Sequence, residues 1–438
     1  MDISTARAAD NDVQARPPVT ALIFKAIQIV AIAALDLVLW PLYAAACLIW
    51  HRPPMGPHTA QVKRYLRLTW SVDPITPGMS RQARIWLTLS IVRKLLMTPL
   101  QGLAWLLDEL LYGQVLNATQ VVAPLFVISG GRSGSTQMTR YIEADPAVTA
   151  PNLLQCMFPY LWLWKLAPNT IGRILTPKKL LTMFESMMSA ELLERHEFDP
   201  FKADTFDGAM FSSHLNPLSV YLGPGVAARE FNFAAFPPQD RAQLEHDAVQ
   251  LIDRIGRKHL LFIGDTVSRR LFIKGHFLCA AAALERQYPD AAFLTLVRDP
   301  AKRLQSGINY LRVNPSDPAM GPPPWAWLSA WLLHTESDYC RIEQAWYSQS
   351  WYSQSGARRC VVRFADFVSD LEGTMQRVYR ECLNQDQLPL HVPRTHPPRE
   401  RKHYTVNYSL AELGIDEAEL RRKLADYVAW CRPEEEQP

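Results

Sequence analysis

Residues 124–143, PLFVISGGRSGSTQMTRYIE, constrain this chain more than any other stretch. An apolar run leads into a turn of small residues, and Met138, Tyr141 and Ile142 then recur at helical spacing. That order predicts a strand, an anion-binding loop and a helix. Backbone N–H groups at the start of such a helix, helped by the helix dipole, point at an anion. Gly130, Gly131 and Gly134 let the main chain come close, Ser133, Ser135 and Thr136 offer hydroxyls, and Arg132 offers a fixed positive fork. The loop therefore asks for phosphate or a group like it. A Walker A loop, GxxxxGK[ST], carries a lysine before the hydroxyl residue that holds magnesium. Here Gly134 is followed directly by Ser135, and the basic residue stands ahead of the Ser-Gly pair, which disfavours a metal-dependent NTPase.

The chain beyond the loop alternates helix and strand. Residues 239–257 predict a helix, and 270–277, RLFIKGHF, a short apolar strand ending in Lys274, Gly275 and His276. A helix over 278–288 leads to the buried strand 292–297, AFLTLV, then to Arg298-Asp-Pro and a helix carrying Arg303, Ser306 and Tyr310. This order implies right-handed parallel βαβ units, whose ligands lie at the carboxyl ends of the strands. Arg132, Lys274, His276 and Arg298 all fall at such ends. A further helix over 325–347 and a strand over 359–364 follow.

RSGST after a strand resembles the 5′-phosphosulfate loop of the sulfotransferases that use PAPS, 3′-phosphoadenosine 5′-phosphosulfate. LVRDPAKRLQSGINYL resembles their 3′-phosphate-binding segment, in which an arginine at the strand end and a serine eight residues later, Arg298 and Ser306 here, hold that phosphate. KGH resembles the lysine-x-histidine that cytosolic members carry upstream. DLEGTMQRVYRECL and the closing HYTVNYSLAELGIDEAELRRKLADYVAWC resemble late units of the large bacterial-type sulfotransferase family, so that the likeness runs over 124–431. It implies an α/β fold, a P-loop-like parallel β-sheet flanked by helices, and transfer of a sulfuryl group from PAPS to a hydroxyl or amine of a glycan, glycolipid or lipid, with no metal. It further implies His276 as general base, with Lys274 and Arg132 steadying developing charge. Arg132, Ser133, Gly134, Ser135, Thr136, Arg298 and Ser306 would hold PAPS. Two departures stand out: Gly-Gly-Arg replaces a proline before the basic residue, and Arg399, Arg401 and Lys402 do not reproduce an RKG cofactor motif. Two other functions stay open, a P-loop nucleoside or sugar kinase and a membrane-anchored phosphate-loop binding protein without chemistry.

With 46 basic and 43 acidic residues among 438, charge is nearly balanced, which argues against wholesale nucleic-acid binding and makes any anion site local. Seven scattered cysteines show no metal-type spacing and read as isolated thiols in a reducing compartment. Residues 26–50 are apolar throughout except Gln28 and Asp36, long enough to cross a hydrocarbon core, although Asp36 is expensive in lipid and Pro41 would kink or break the helix. Residues 84–116 continue with helical apolar spacing around Arg93 and Lys94. The expected organisation is therefore a disordered segment 1–19, a hydrophobic, membrane-associated helical region 20–120 and a sulfotransferase domain 121–432, the last on the cytoplasmic side. Within it, the phenylalanine-rich stretch 198–233 suits acceptor binding, with His214 or Glu230 as reserve bases.

Overall fold

Among the described residues of the computed structural model, four helices precede the first strand: α1 (Val19–Trp50), α2 (Thr59–Trp70), α3 (Arg81–Leu96) and α4 (Thr98–Ala118). Described are residues 17–70, 80–186, 188–196, 199–204, 237–264, 269–314, 325–348, 356–397 and 406–431. The long apolar stretch is one helix that runs on through Pro41 without a break. Residues 84–116, by contrast, divide at Met97, whose N–H donates to the carbonyls of Arg93 and Leu95 and closes α3, while Pro99 opens α4 in its first turn.

Then come β1 (Leu125–Ile128), α5 (Ser135–Glu143), β2 (Val148–Thr149), short helical pieces between 153 and 195, α6 (Pro238–Ile263) and β3 (Arg270–Gly275). After these follow α7 (Ala281–Gln287), β4 (Ala292–Val297), α8 (Pro300–Val313), α9 (Trp325–Ser348) and β5 (Arg358–Arg363). The chain closes with α10 (Phe364–Ser369), α11 (Leu371–Glu381), α12 (Glu417–Lys423) and α13 (Ala425–Cys431). The strands pair in parallel in the order β2-β3-β1-β4-β5, so the α/β expectation of a parallel sheet flanked by helices is met. Every residue of β1 and β4 is buried, as an unbroken apolar run requires of a strand covered on both faces. Phe126 and Phe293, paired in register, stack at 5.4 Å and tie these two strands together.

The chain leaves β1 toward β2 and β3 on one side, then crosses over to β4 and β5 on the other. β1 thus lies at the reversal of strand order, where open parallel sheets form their ligand crevice. Segments following β3, β1 and β4 are brought side by side there.

The N-terminal helices are fastened to this sheet. Asp108 on α4 and Lys258 on α6 form an ion pair at 2.9 Å with neither side chain exposed, and Asp108 also accepts the N–H groups of Leu161 and Trp162. Arg254 pairs with Glu109 one position along. On the opposite flank, Ala83 and Trp86 of α3 pack with Val297, Leu304 and Ile308. The reading of seven isolated thiols is corrected at one pair: Cys360 on β5 and Cys382 after α11 are joined, their Cα atoms 6.0 Å apart, whereas Cys47, Cys156, Cys279, Cys340 and Cys431 form no disulfide among the described residues.

Candidate active site

The loop after β1 is shaped by two left-handed residues, Arg132 at φ 63° and Gly134 at φ 94°. At Gly134 a side chain is excluded twice over, by φ and because a Cβ would lie 2.7 Å from the Phe364 ring. Gly134 is also the N-cap of α5 and supplies no side-chain cap, so the first turn of this helix presents its dipole and amide groups to the crevice. Of the hydroxyls expected to face an anion, that of Ser133 turns inward, donating to the Gly130 carbonyl at 2.8 Å and closing the loop on itself.

β3 contributes the next group. Val127 pairs with Lys274 across the β1–β3 register, which sets the lysine beside the loop. Its buried Nζ donates to Thr136 Oγ1 at 2.9 Å and lies 3.3 Å from Asp204 Oδ1; the other oxygen of that carboxylate is 3.1 Å from His196 Nε2. Two residues beyond Lys274, the half-buried His276 stands over the loop: a Cβ on Gly131 would lie 3.7 Å from its Nε2.

From β4 comes Arg298, which donates to the Arg132 carbonyl at 2.8 Å, while Arg132 Nε donates to Ser306 Oγ at 3.0 Å. Both guanidiniums also lie against rings, Arg132 on Tyr310 and Arg298 on Phe364. Burial, and then the charge of Arg132, push the Arg298 guanidinium below its usual value. Two cations held together in this way gain most from a multiply charged anion between them.

Beneath the loop lies a buried ionic network. Arg303 reaches Glu336 and Glu343 on α9, and Glu343 in turn accepts from the Gly130 N–H at 3.3 Å, from Thr295 Oγ1 at 2.6 Å and from the Tyr427 hydroxyl. Gly130 is needed here because a Cβ would meet the Arg303 guanidinium at 2.6 Å. Burial works to lower the Arg303 charge, but Glu336 and Glu343 hold its pKa well above the ordinary value. Neither this network nor the Asp204–His196 pair stands among the sequence-predicted residues. One signal was available, since Glu336, Cys340 and Glu343 stand at i, i+4 and i+7 on one face of a helix rich in apolar residues. His214, Glu230, Arg399, Arg401 and Lys402 lie outside the described residues.

The structure thus brings Arg132, Ser135, Thr136, Lys274, His276, Arg298 and Ser306 around one crevice at the carboxyl edge of the sheet. This defines an α/β protein with a glycine-rich loop, flanked by cationic side chains, after its central strand. The profile of the sulfotransferase family matches residues 124–384, more than half of the chain and all of these positions, and the chain belongs to that family. Among solved structures, sulfotransferase STF1 from Mycobacterium tuberculosis H37Rv is similar at 17% identity, covering 88% of this chain and 98% of its own, with a TM-score of 0.55. Sulfotransferase STF9 from Mycobacterium avium is similar at 14% identity, covering 89% and 95%, with a TM-score of 0.55. At such identities the likeness establishes a shared fold. No curated protein matched the sequence.

Proposed function

We propose that this chain transfers the sulfuryl group of PAPS to a hydroxyl or amine of a glycan, glycolipid or lipid. The observation that carries this is the convergence of two cationic ends on one crevice: Lys274 with the α5 N-terminus on the β3 side, and Arg298 with Arg132 on the β4 side. Two strand spacings put these ends on the order of 10 Å apart. PAPS carries two separate anionic groups, at the 3′ and 5′ positions of its ribose, and matches that layout better than a ligand with one phosphate cluster.

In this reading Lys274, Ser135, Thr136 and the amides of the α5 first turn hold the 5′-phosphosulfate. Arg298 and Ser306 hold the 3′-phosphate, and Arg132, bonded to Ser306 from the loop that holds the 5′ group, serves both. The acceptor oxygen attacks sulfur in line, an O–S bond forms, and the bond from sulfur to the 5′-phosphate breaks with its electron pair leaving on the phosphate. Catalysis is then mostly positioning and stabilisation of charge on the departing oxygen, work suited to Lys274 and Arg132. His276 takes the acceptor proton, a role imidazole fills near neutral pH. The exposed apolar face of α1 supports a membrane location.

His276→Ala tests the base. Turnover is expected to fall by about 10²–10⁴-fold, while affinity for PAP, the desulfated product, stays unchanged in a titration. Full turnover in that variant would move the base elsewhere, with His214 or Glu230 next in line.

A further inference from the structure

The outer surface of the N-terminal helices has a face with no role in the crevice. Lys25, Asp36 and Tyr43 mark the buried side of α1, while Ile23, Phe24, Ile27, Val30, Leu37 and Leu48 are exposed on the opposite side. Leu100, Leu107 and Leu111 extend the apolar surface onto α4. A helix of 32 residues is about 48 Å long, more than a bilayer core requires. Crossing the bilayer would carry its partners with it: Lys25 bonds Ser90 and sits 3.4 Å over the Trp86 ring of α3, and Tyr43 fills the space above Gly102 of α4. Those partners are themselves fixed to the catalytic domain, through Trp86 and through Asp108–Lys258. The helix therefore lies along the body, with only its outer face available to lipid.

At the border of that face α1, α3 and α4 enclose a half-open cavity of about 470 Å³, lined by Gln28, Ala31, Ile32, Arg93, Lys94, Met97 and Gln101. Two cations from α3, one amide each from α1 and α4, and the apolar side chains of Ala31, Ile32 and Met97 match an anionic phosphodiester joined to a hydrocarbon chain. Burial, with Arg93 adding to it, pushes the Lys94 ammonium down to about 8, and an anion beside it would reverse that shift.

We propose that α1 and α4 dock in the plane of a bilayer and that the Arg93–Lys94 cavity receives the headgroup of an anionic phospholipid. This deepens the membrane location above and does not depend on sulfuryl transfer.

The test is flotation of the full chain, synthesised in the presence of sealed vesicles of phosphatidylcholine alone or with phosphatidylglycerol. Binding is expected to be about 30-fold stronger with the anionic lipid, as two basic groups near a charged surface imply, and Arg93→Gln/Lys94→Gln should lose that preference. Lys63→Gln/Arg67→Gln, two exposed cations of α2, should retain it. Protease added outside should remove tags at both ends of the chain. The proposal is overturned by equal binding to both vesicles, by an equal loss in the α2 variant, by a protected N-terminal tag, or by inorganic phosphate displacing the protein at millimolar concentration. PAP affinity on the same preparations should be unchanged by Arg93→Gln/Lys94→Gln, so failure here stays distinct from failure of the catalytic reading.

Discussion

Arg298→Ala is expected to weaken PAP binding by roughly 30- to 700-fold. The arginine stands at the end of β4, donates to the Arg132 carbonyl and is already disfavoured by burial and by the Arg132 charge. A phosphate placed against it would gain charge-assisted bonds worth about 2–4 kcal/mol together, and truncation removes them. Arg298→Lys keeps the charge but loses the planar fork, and should fall between the two. Lys302→Ala, an exposed cation within the first turn of α8, should leave affinity unchanged. Isothermal titration of the four proteins measures this. Wild-type affinity in Arg298→Ala would remove the 3′-phosphate assignment, whereas an equal loss in Lys302→Ala would mean that the site senses only overall charge.

The second large effect is on stability. Arg303→Met is expected to cost about 3–5 kcal/mol, because Glu336 and Glu343 would remain buried after losing the guanidinium that compensates them. The thermal midpoint should drop by about 3–5 °C. Glu343→Gln should be milder, since its amide oxygen can still accept from the Gly130 N–H. Thermal unfolding followed by circular dichroism distinguishes the two. An unchanged midpoint in Arg303→Met would mean that the loop does not rest on this network.

What the sequence disclosed, and what it hid, follows from how far apart the interacting residues lie. The strand, loop and helix around Gly134 were legible because a backbone at φ 94° against the Phe364 ring leaves room only for glycine, and that demand appears directly in composition. Arg298 and Ser306 were legible for a similar reason, as both belong to one strand-to-helix connection. The Arg303 network was not: its glutamates are 33 and 40 residues away, and a charge on a helix reads the same whether it faces solvent or an arginine. β2, two residues long, is too short to carry a period. Asp204 and His196 come from irregular chain, where spacing predicts nothing about orientation. Residues 26–50 show a different kind of ambiguity. Unbroken apolarity fits a core helix, a spanning helix or one lying on a surface, and the contacts of Lys25 and Tyr43 with α3 and α4 leave no mark in it.

The central claim is that separate stretches of chain grip both phosphates of one nucleotide. The most direct measurement is isothermal titration of the purified protein, without magnesium, with PAP and with 5′-AMP, which differ only by the 3′-phosphate. Binding of PAP at least about 30-fold tighter is the predicted result, given the worth of one charge-assisted phosphate contact. Equal affinities, or binding of either nucleotide only when magnesium is supplied, would contradict it.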